Sequence, residues 1–314
     1  MARGTRTMTI GQLTEEFLRR LEKEKGCSSN TIRAYATDLY EFFDYLISRG
    51  KIKGYGEKWK ARSIDSLVVR SFLAELFRAK KRSTIARKLS ALRSFFTFLE
   101  KLGLEQGNPA SEVSTPKLKK YIPVYLTVDE AFSLLGIPQR DSVLGLRDAA
   151  ILEVLYSCGL RVSEASSLNV ASIDFDGRIV RVVGKGNKER LVPIGRQAVE
   201  VLRQYLEASR PIRRKGKGDV EKGPLFINYK GGRLTPRSIA RIIKKYALQC
   251  GLSSEVSPHA MRHTFATHML DGGADLRAVQ ELLGHESLST TQKYTHLTLD
   301  KLMEVYDKAH PRSG

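Results

Sequence analysis

Between Ser257 and Leu297 the sequence carries His259, Arg262, His285 and Tyr294, side chains whose types and spacing suit a phosphodiester better than a metal or an acyl group. A guanidinium can hold two nonbridging phosphate oxygens at fixed geometry and stabilise the charge that builds on them during attack. A phenol has an ordinary pKa of about 10, and neighbouring cations with an imidazole at hand favour its anion, the nucleophilic form. His259 and His263 do share the i, i+4 spacing of some zinc helices. The residue after His259 is Ala260 rather than Glu, however, and Arg262 would set a cation against the metal.

Local signals place these residues on defined elements. Ser257-Pro258 reads as an N-cap followed by Pro in the first turn, and Gly272-Gly273 closes that helix, so His259 and Arg262 project from neighbouring positions beside Met261, Phe265 and Met269. Asp275 caps a second helix with Leu276, Val279, Leu282 and Leu283 inward. Gly284 stops it and leaves His285 just past its end, and Ser289 starts the turn that carries Tyr294. Upstream, Thr127 to Leu135 and Arg147 to Ser157 read as helices, the second apolar on nearly all sides and ended by Gly159. Arg161 follows at once, with Ser163 as cap of the next short helix. Arg178–Val183 and Arg190–Pro193 alternate as two strands. The Gly184-Lys185-Gly186-Asn187-Lys188-Glu189 connection between them can lift Lys185, or its rival Lys188, clear of the sheet. Leu225 to Asn228 reads as a further strand, and Arg213 to Gly223 as a mobile loop.

Charge points to the same kind of substrate. With 53 Lys plus Arg against 34 Asp plus Glu, the formal charge is +19 and the pI about 9.9, the footprint of a nucleic-acid binder. Up to Pro116 there are 22 basic and 13 acidic residues, and beyond it 31 and 21, so the excess is spread over both halves as two lobes on one polyanion require. No apolar run is long enough to span a bilayer, so a cytoplasmic protein without membrane insertion is expected. Cys27, Cys158 and Cys250 have no metal or disulfide spacing and read as buried thiols.

The first half reads as four helices: Ile10 to Leu21, one capped by Asn30, one begun by Asp65 and one capped by Ser83. Gly50 to Ser63 is a loop. Around the fourth helix lie Lys80, Lys81, Arg82, Arg87, Lys88 and Arg93, read as phosphate contacts. Asn108 to Pro123, with three prolines and Lys117, Lys119 and Lys120, reads as an extended linker that can also lie along phosphates.

Four segments in order, Gly159-Leu160-Arg161-Val162-Ser163-Glu164, His259 through His268, Leu282-Leu283-Gly284-His285 and Thr291-Gln292-Lys293-Tyr294-Thr295-His296, resemble the tyrosine recombinase family, most closely its Xer branch. The resemblance covers nearly the whole chain and is specific in the second half. It implies a mainly α protein: a helical DNA-binding domain over 1–107, a linker over 108–123, and over 124–314 a mostly helical catalytic domain with a small antiparallel sheet. It implies that Arg161, Lys185, His259, Arg262 and His285 surround the phosphate, with Tyr294 as nucleophile, Lys185 as proton donor to the leaving 5′ oxygen and Glu164 helping to orient the site. Attack gives a 3′-phosphotyrosine that stores the bond energy, so no cofactor, metal or ATP is expected.

The implied partners are a double-stranded recombination site, a homotetramer or heterotetramer on two such sites, and a septum-associated DNA translocase. Leu297, Leu299, Leu302, Val305 and Tyr306 resemble the tail that relatives insert into a neighbouring subunit; packing on its own domain is the alternative. Resolution of chromosome or plasmid dimers is the implied task. The competing functions are a mobile-element integrase, a type IB topoisomerase, which relaxes DNA without exchange, and a noncatalytic architectural DNA binder.

Overall fold

In the first helix, apolar residues recur at helical spacing behind a capping box in which Thr9 and Gln12 satisfy each other's backbone N–H. In the computed structural model, which describes residues 8–24, 26–59, 64–118, 124–184, 188–214, 222–284 and 299–313, this is α1 (Ile10–Lys23). The chain divides into two compact units, Met1–Tyr121 and Ile122–Gly314.

The first unit adds α2 (Ser29–Ser48), α3 (Ser66–Leu76) and α4 (Arg82–Lys101). The inner faces of α1, α2 and α4 bury Phe17, Leu39, Phe42, Phe43, Leu89, Leu92, Phe95 and Phe96. Phe17, Phe43 and Trp59 meet the Phe95 ring edge-on at centroid distances of 5.4, 5.7 and 5.9 Å, the arrangement favoured by aromatic quadrupoles. Asp65 caps α3 as expected, but Ser28 rather than Asn30 caps α2. Ser83 lies inside α4, whose N-cap is Lys81 without a side-chain hydrogen bond. The Gly50–Ser63 loop is anchored up to Trp59, which donates Nε1–H to Glu105 at 2.8 Å.

Two basic residues of α4 are structural. Lys88 is buried, with Nζ 2.8 Å from Asp38 and 2.6 Å from Glu41, so its charge is spent inside the unit rather than on phosphate. Arg93 donates to the carbonyls of Ala110 and Val113 at 3.1 and 2.6 Å and to Thr115 at 2.9 Å. Asn108 returns hydrogen bonds to Arg93 and Thr97, and Ala110 and Val113 are buried. Residues 108–115 are therefore folded onto α4, not an extended linker, because one guanidinium and two apolar side chains fix them there.

The second unit holds α5 (Val128–Gly136), α6 (Val143–Cys158), α7 (Val162–Ser167), β1 (Ile173–Asp174), β2 (Ile179–Val183), β3 (Glu189–Pro193), α8 (Arg196–Arg214), α9 (Pro236–Gln249), α10 (Pro258–Asp271), α11 (Leu276–Leu283) and α12 (Leu299–Ala309). The helix α6 runs through its centre, buried from Asp148 to Cys158, which explains why it is apolar all round. The sheet is antiparallel in the order β1-β2-β3, with Ile179 opposite Pro193 and Val183 opposite Glu189. β1 and the helices α8 and α9 fall where the sequence reading places no element. Leu225–Asn228 makes only an isolated bridge, Ile227 with Arg233, instead of a strand. The supposed loop at Arg213 begins as the end of α8, where Arg213 is buried and caps the carbonyls of Pro224 and Leu225; residues 215–221 lie outside the described residues.

From Leu299 on, the C-terminal tail packs on its own unit; Leu297 lies outside the described residues. Leu302, Tyr306 and Ala309 of α12 are buried, and the Tyr306 hydroxyl lies 2.7 Å from Ser157 Oγ, which also accepts the Gly195 N–H. Of the thiols only Cys158 is buried; Cys27 and Cys250 are half-buried. Among the described residues no helix is long and apolar enough to cross a membrane.

Candidate active site

Arg161 owes its position to the end of α6. Gly159 takes the left-handed conformation, φ 56°, and Arg161 two residues later is the N-cap of α7. Ser163 does not cap this helix; the Glu164 carboxylate instead accepts the Arg161 backbone N–H at 2.8 Å and its Nη1 at 2.9 Å. A methyl group on Gly159 would stand 2.4 Å from Phe265 Cδ1. Gly159→Ala therefore combines a left-handed alanine with an overpacked contact and should destabilise the protein by roughly 2–3 kcal/mol. Urea unfolding measures this; a midpoint equal to the parent's would mean that Phe265 yields at no cost.

His259 and Arg262 lie one turn apart at the start of α10, capped by Ser257. His259 is exposed. Arg262 is 7% exposed and donates to the Gly159 carbonyl at 2.8 Å and the Leu283 carbonyl at 2.6 Å. Burial, then the charge of Arg161, push its pKa down to about 10, so it remains cationic at neutral pH.

Three guanidiniums meet at the end of α11. Arg190 Nε donates to Leu282 at 3.1 Å, Arg262 to Leu283, and Arg161 Nη2 to Gly284 at 3.3 Å, all to carbonyls. The last carbonyls of a helix have no partner within it and carry its negative dipole end, so they attract cations. Gly284, left-handed at φ 65°, ends α11 there, and a Cβ on it would come within 3.2 Å of the Arg190 guanidinium. Among the described residues one carboxylate, Glu164, balances the three cations. Burial raises its pKa, but the hydrogen bonds from Arg190 and the Arg161 backbone outweigh this and leave it below the ordinary carboxylate value. The net positive charge, with Arg161 still 43% exposed, gives an anion such as phosphate a partner reachable from solvent.

Lys185, His285 and Tyr294 lie outside the described residues. Gly184, which precedes Lys185, closes the hairpin with Lys188 by an N–H···O bond of 2.8 Å, and Gly284 immediately precedes His285; the residues on either side of Tyr294 lie outside the described residues as well. Outside the proposed phosphate set, His268 is buried between the Tyr156 hydroxyl and the Leu126 carbonyl, each at 2.9 Å, and His263 meets the Tyr125 ring edge-on; His296 is outside the described residues. Among the described residues no His, Cys, Asp and Glu cluster could hold a metal ion. Arg190 is the site neighbour that sequence reasoning missed. Its place on β3 was legible, but only the fold brings β3 against α7 and α11.

On the first unit, Lys80, Lys81, Arg82 and Arg87 are exposed around the start of α4, and Lys117 is exposed further on. Arg87 pairs with Asp38, and Arg82 reaches the Lys117 carbonyl at 3.4 Å. Lys119 and Lys120 lie outside the described residues.

The profile of the phage integrase family matches residues 124–300, and that of the phage integrase N-terminal SAM-like domain matches residues 14–103. The tyrosine recombinase XerC of Syntrophus aciditrophicus (strain SB) is 46% identical over 306 residues, which cover 97% of this chain and 99% of the relative. The tyrosine recombinase XerD of Proteus mirabilis is 42% identical over 302 residues, 96% of this chain and 93% of the relative. In fold, the chain is similar to the XerH site-specific recombinase crystallised on its difH substrate before cleavage, with a TM-score of 0.65 at 21% identity over 94% of this chain and 82% of that one.

Proposed function

Since this chain belongs to the phage integrase family of tyrosine recombinases, we propose that it cuts and rejoins DNA at a specific site through a 3′-phosphotyrosyl intermediate on Tyr294, and that it resolves chromosome or plasmid dimers. The observation that supports the chemistry best is the meeting of Arg161, Arg262 and Arg190 at the end of α11, one residue before His285. Arg161 and Arg262 hold the nonbridging oxygens and stabilise the charge that develops on them. His259 and His285 hydrogen-bond the phosphate or carry the proton of Tyr294. Lys185 protonates the departing 5′ oxygen. The phosphotyrosyl bond conserves the energy of the broken one, so a second strand's hydroxyl reverses the step without ATP.

The reading places a tetramer on two DNA sites, with the chain alone or with a second recombinase, and a septum-associated DNA translocase as a further partner. Relatives named XerC and XerD spanning nearly the whole chain favour dimer resolution. Exchange of the tail between subunits would first require α12 to leave the bed that buries Tyr306. The decisive experiment mixes two differently labelled DNA sites with the protein and sequences the junctions. Recombinant junctions at one fixed sequence support the reading. Relaxation of supercoils without exchange would make this a topoisomerase, binding without either an architectural protein, and joining of unlike sites an integrase.

Phosphate contacts also set a salt dependence. If the two units together make six or more, affinity should fall roughly a thousandfold between 50 and 200 mM salt. Replacing the exposed Lys80 and Lys81 by Ala should lower the slope of log K against log salt by about two. A nearly flat titration would remove both lysines and the phosphate contacts from the account.

A further inference from the structure

Glu164 is a buried carboxylate shared by two arginines. Arg190 takes both its oxygens as a fork, Nη1 to Oε1 at 3.0 Å and Nη2 to Oε2 at 2.9 Å, while Arg161 reaches Oε1 through a single side-chain nitrogen. The third nitrogen of Arg190, Nε, grips the Leu282 carbonyl, so all three nitrogens of this guanidinium are engaged. Its side chain is 15% exposed, against 43% for Arg161. Arg190 is thus built in, and Arg161 is left open. A buried carboxylate without its fork would be costly to leave half-satisfied, and the nearest replacement fork is Arg161.

We propose that Arg190 is a positioning residue of the recombinase: by saturating Glu164 it prevents that carboxylate from drawing Arg161 into a bidentate pair, and so keeps the Arg161 guanidinium free for the scissile phosphate. The inference rests on the phosphotyrosyl reading above. It gives Arg190 no contact with DNA. It also predicts an interaction of definite sign between Arg190 and Glu164 in the cleavage step at unchanged DNA affinity, beyond the coupling in stability that any stranded buried carboxylate shows.

The test measures single-turnover cleavage of a nicked suicide duplex by the full-length protein, with DNA affinity measured separately. Arg190→Met should bind DNA within about twofold of the parent yet cleave slowly, and adding Glu164→Gln should recover roughly tenfold of the lost rate, because the neutral amide no longer captures Arg161. Glu164→Gln alone should be slower than the parent, so that the same change harms one background and helps the other. Should Arg190→Met fail to fold, Arg190→Lys carries the same comparison, since an ammonium cannot make the fork. Parent-like cleavage by the Arg190 variant, or a double variant slower than the single one, would overturn the proposal. A parent protein that forms no adduct would instead sink the phosphotyrosyl reading and leave the Arg190 comparison without effect on it.

Discussion

Tyr294→Phe should bind a recombination site as tightly as the parent and form no covalent DNA adduct, even on a nicked substrate that traps the intermediate and in excess chelator. The substitution removes one phenolic oxygen and keeps the ring, so folding and binding should survive while the nucleophile is lost. Adduct appears on denaturing gels as slowly migrating labelled DNA, and its formation by the Phe variant would overturn the assignment of Tyr294. The proton donor is separable in the same assay. Lys185→Ala should cleave slowly on ordinary DNA and recover on DNA whose bridging 5′ oxygen is sulfur, because a thiolate leaves without protonation. Tyr294→Phe should stay inactive on both substrates. Failure of sulfur to rescue the lysine variant would move the acid to Lys188, the other lysine of the β2–β3 connection.

The second large effect is on stability. Lys88→Met removes the ammonium that lies between Asp38, whose side chain is 0% exposed, and Glu41, and leaves Asp38 with Arg87 at the half-exposed rim. Truncating one partner of a buried ion pair strands the other, and a loss of about 3 kcal/mol is expected. Trp59 makes this measurable in the whole protein. It is the single tryptophan of the chain and packs on Phe95 and Phe96, so its fluorescence reports unfolding of the first unit. A denaturation midpoint unchanged from the parent's would return Lys88 to the surface role that its sequence neighbourhood suggests. Lys81→Ala, at an exposed position, should leave the same midpoint in place.

Lys88 shows why charge patterning misleads at single positions. Along α4 it stands among Arg82, Arg87 and Arg93 with nothing local to set it apart, and the carboxylates that claim it are on α2. Arg93 is claimed in the same way by carbonyls of residues 110 and 113, which turn an apparent linker into part of the first unit.

The family was legible in the sequence from four ordered motifs, and the mainly helical architecture and the elements that carry Arg161, His259 and Arg262 were legible from local signals: caps at Thr127, Ser257 and Asp275, left-handed glycines at 159 and 284, and alternation in β2 and β3. Each of those signals acts over a few residues, through backbone conformation or a side chain's reach along its own helix. The tertiary structure alone decided that three arginines from α7, α10 and β3 share consecutive carbonyls of α11, and that Arg190 belongs with them. It alone set Tyr306 of α12 against Ser157 instead of leaving the tail unpacked. Such pairings join residues far apart in the chain, where hydrogen-bond geometry and burial select one partner among many of the same type, and no spacing in the sequence records which one is met.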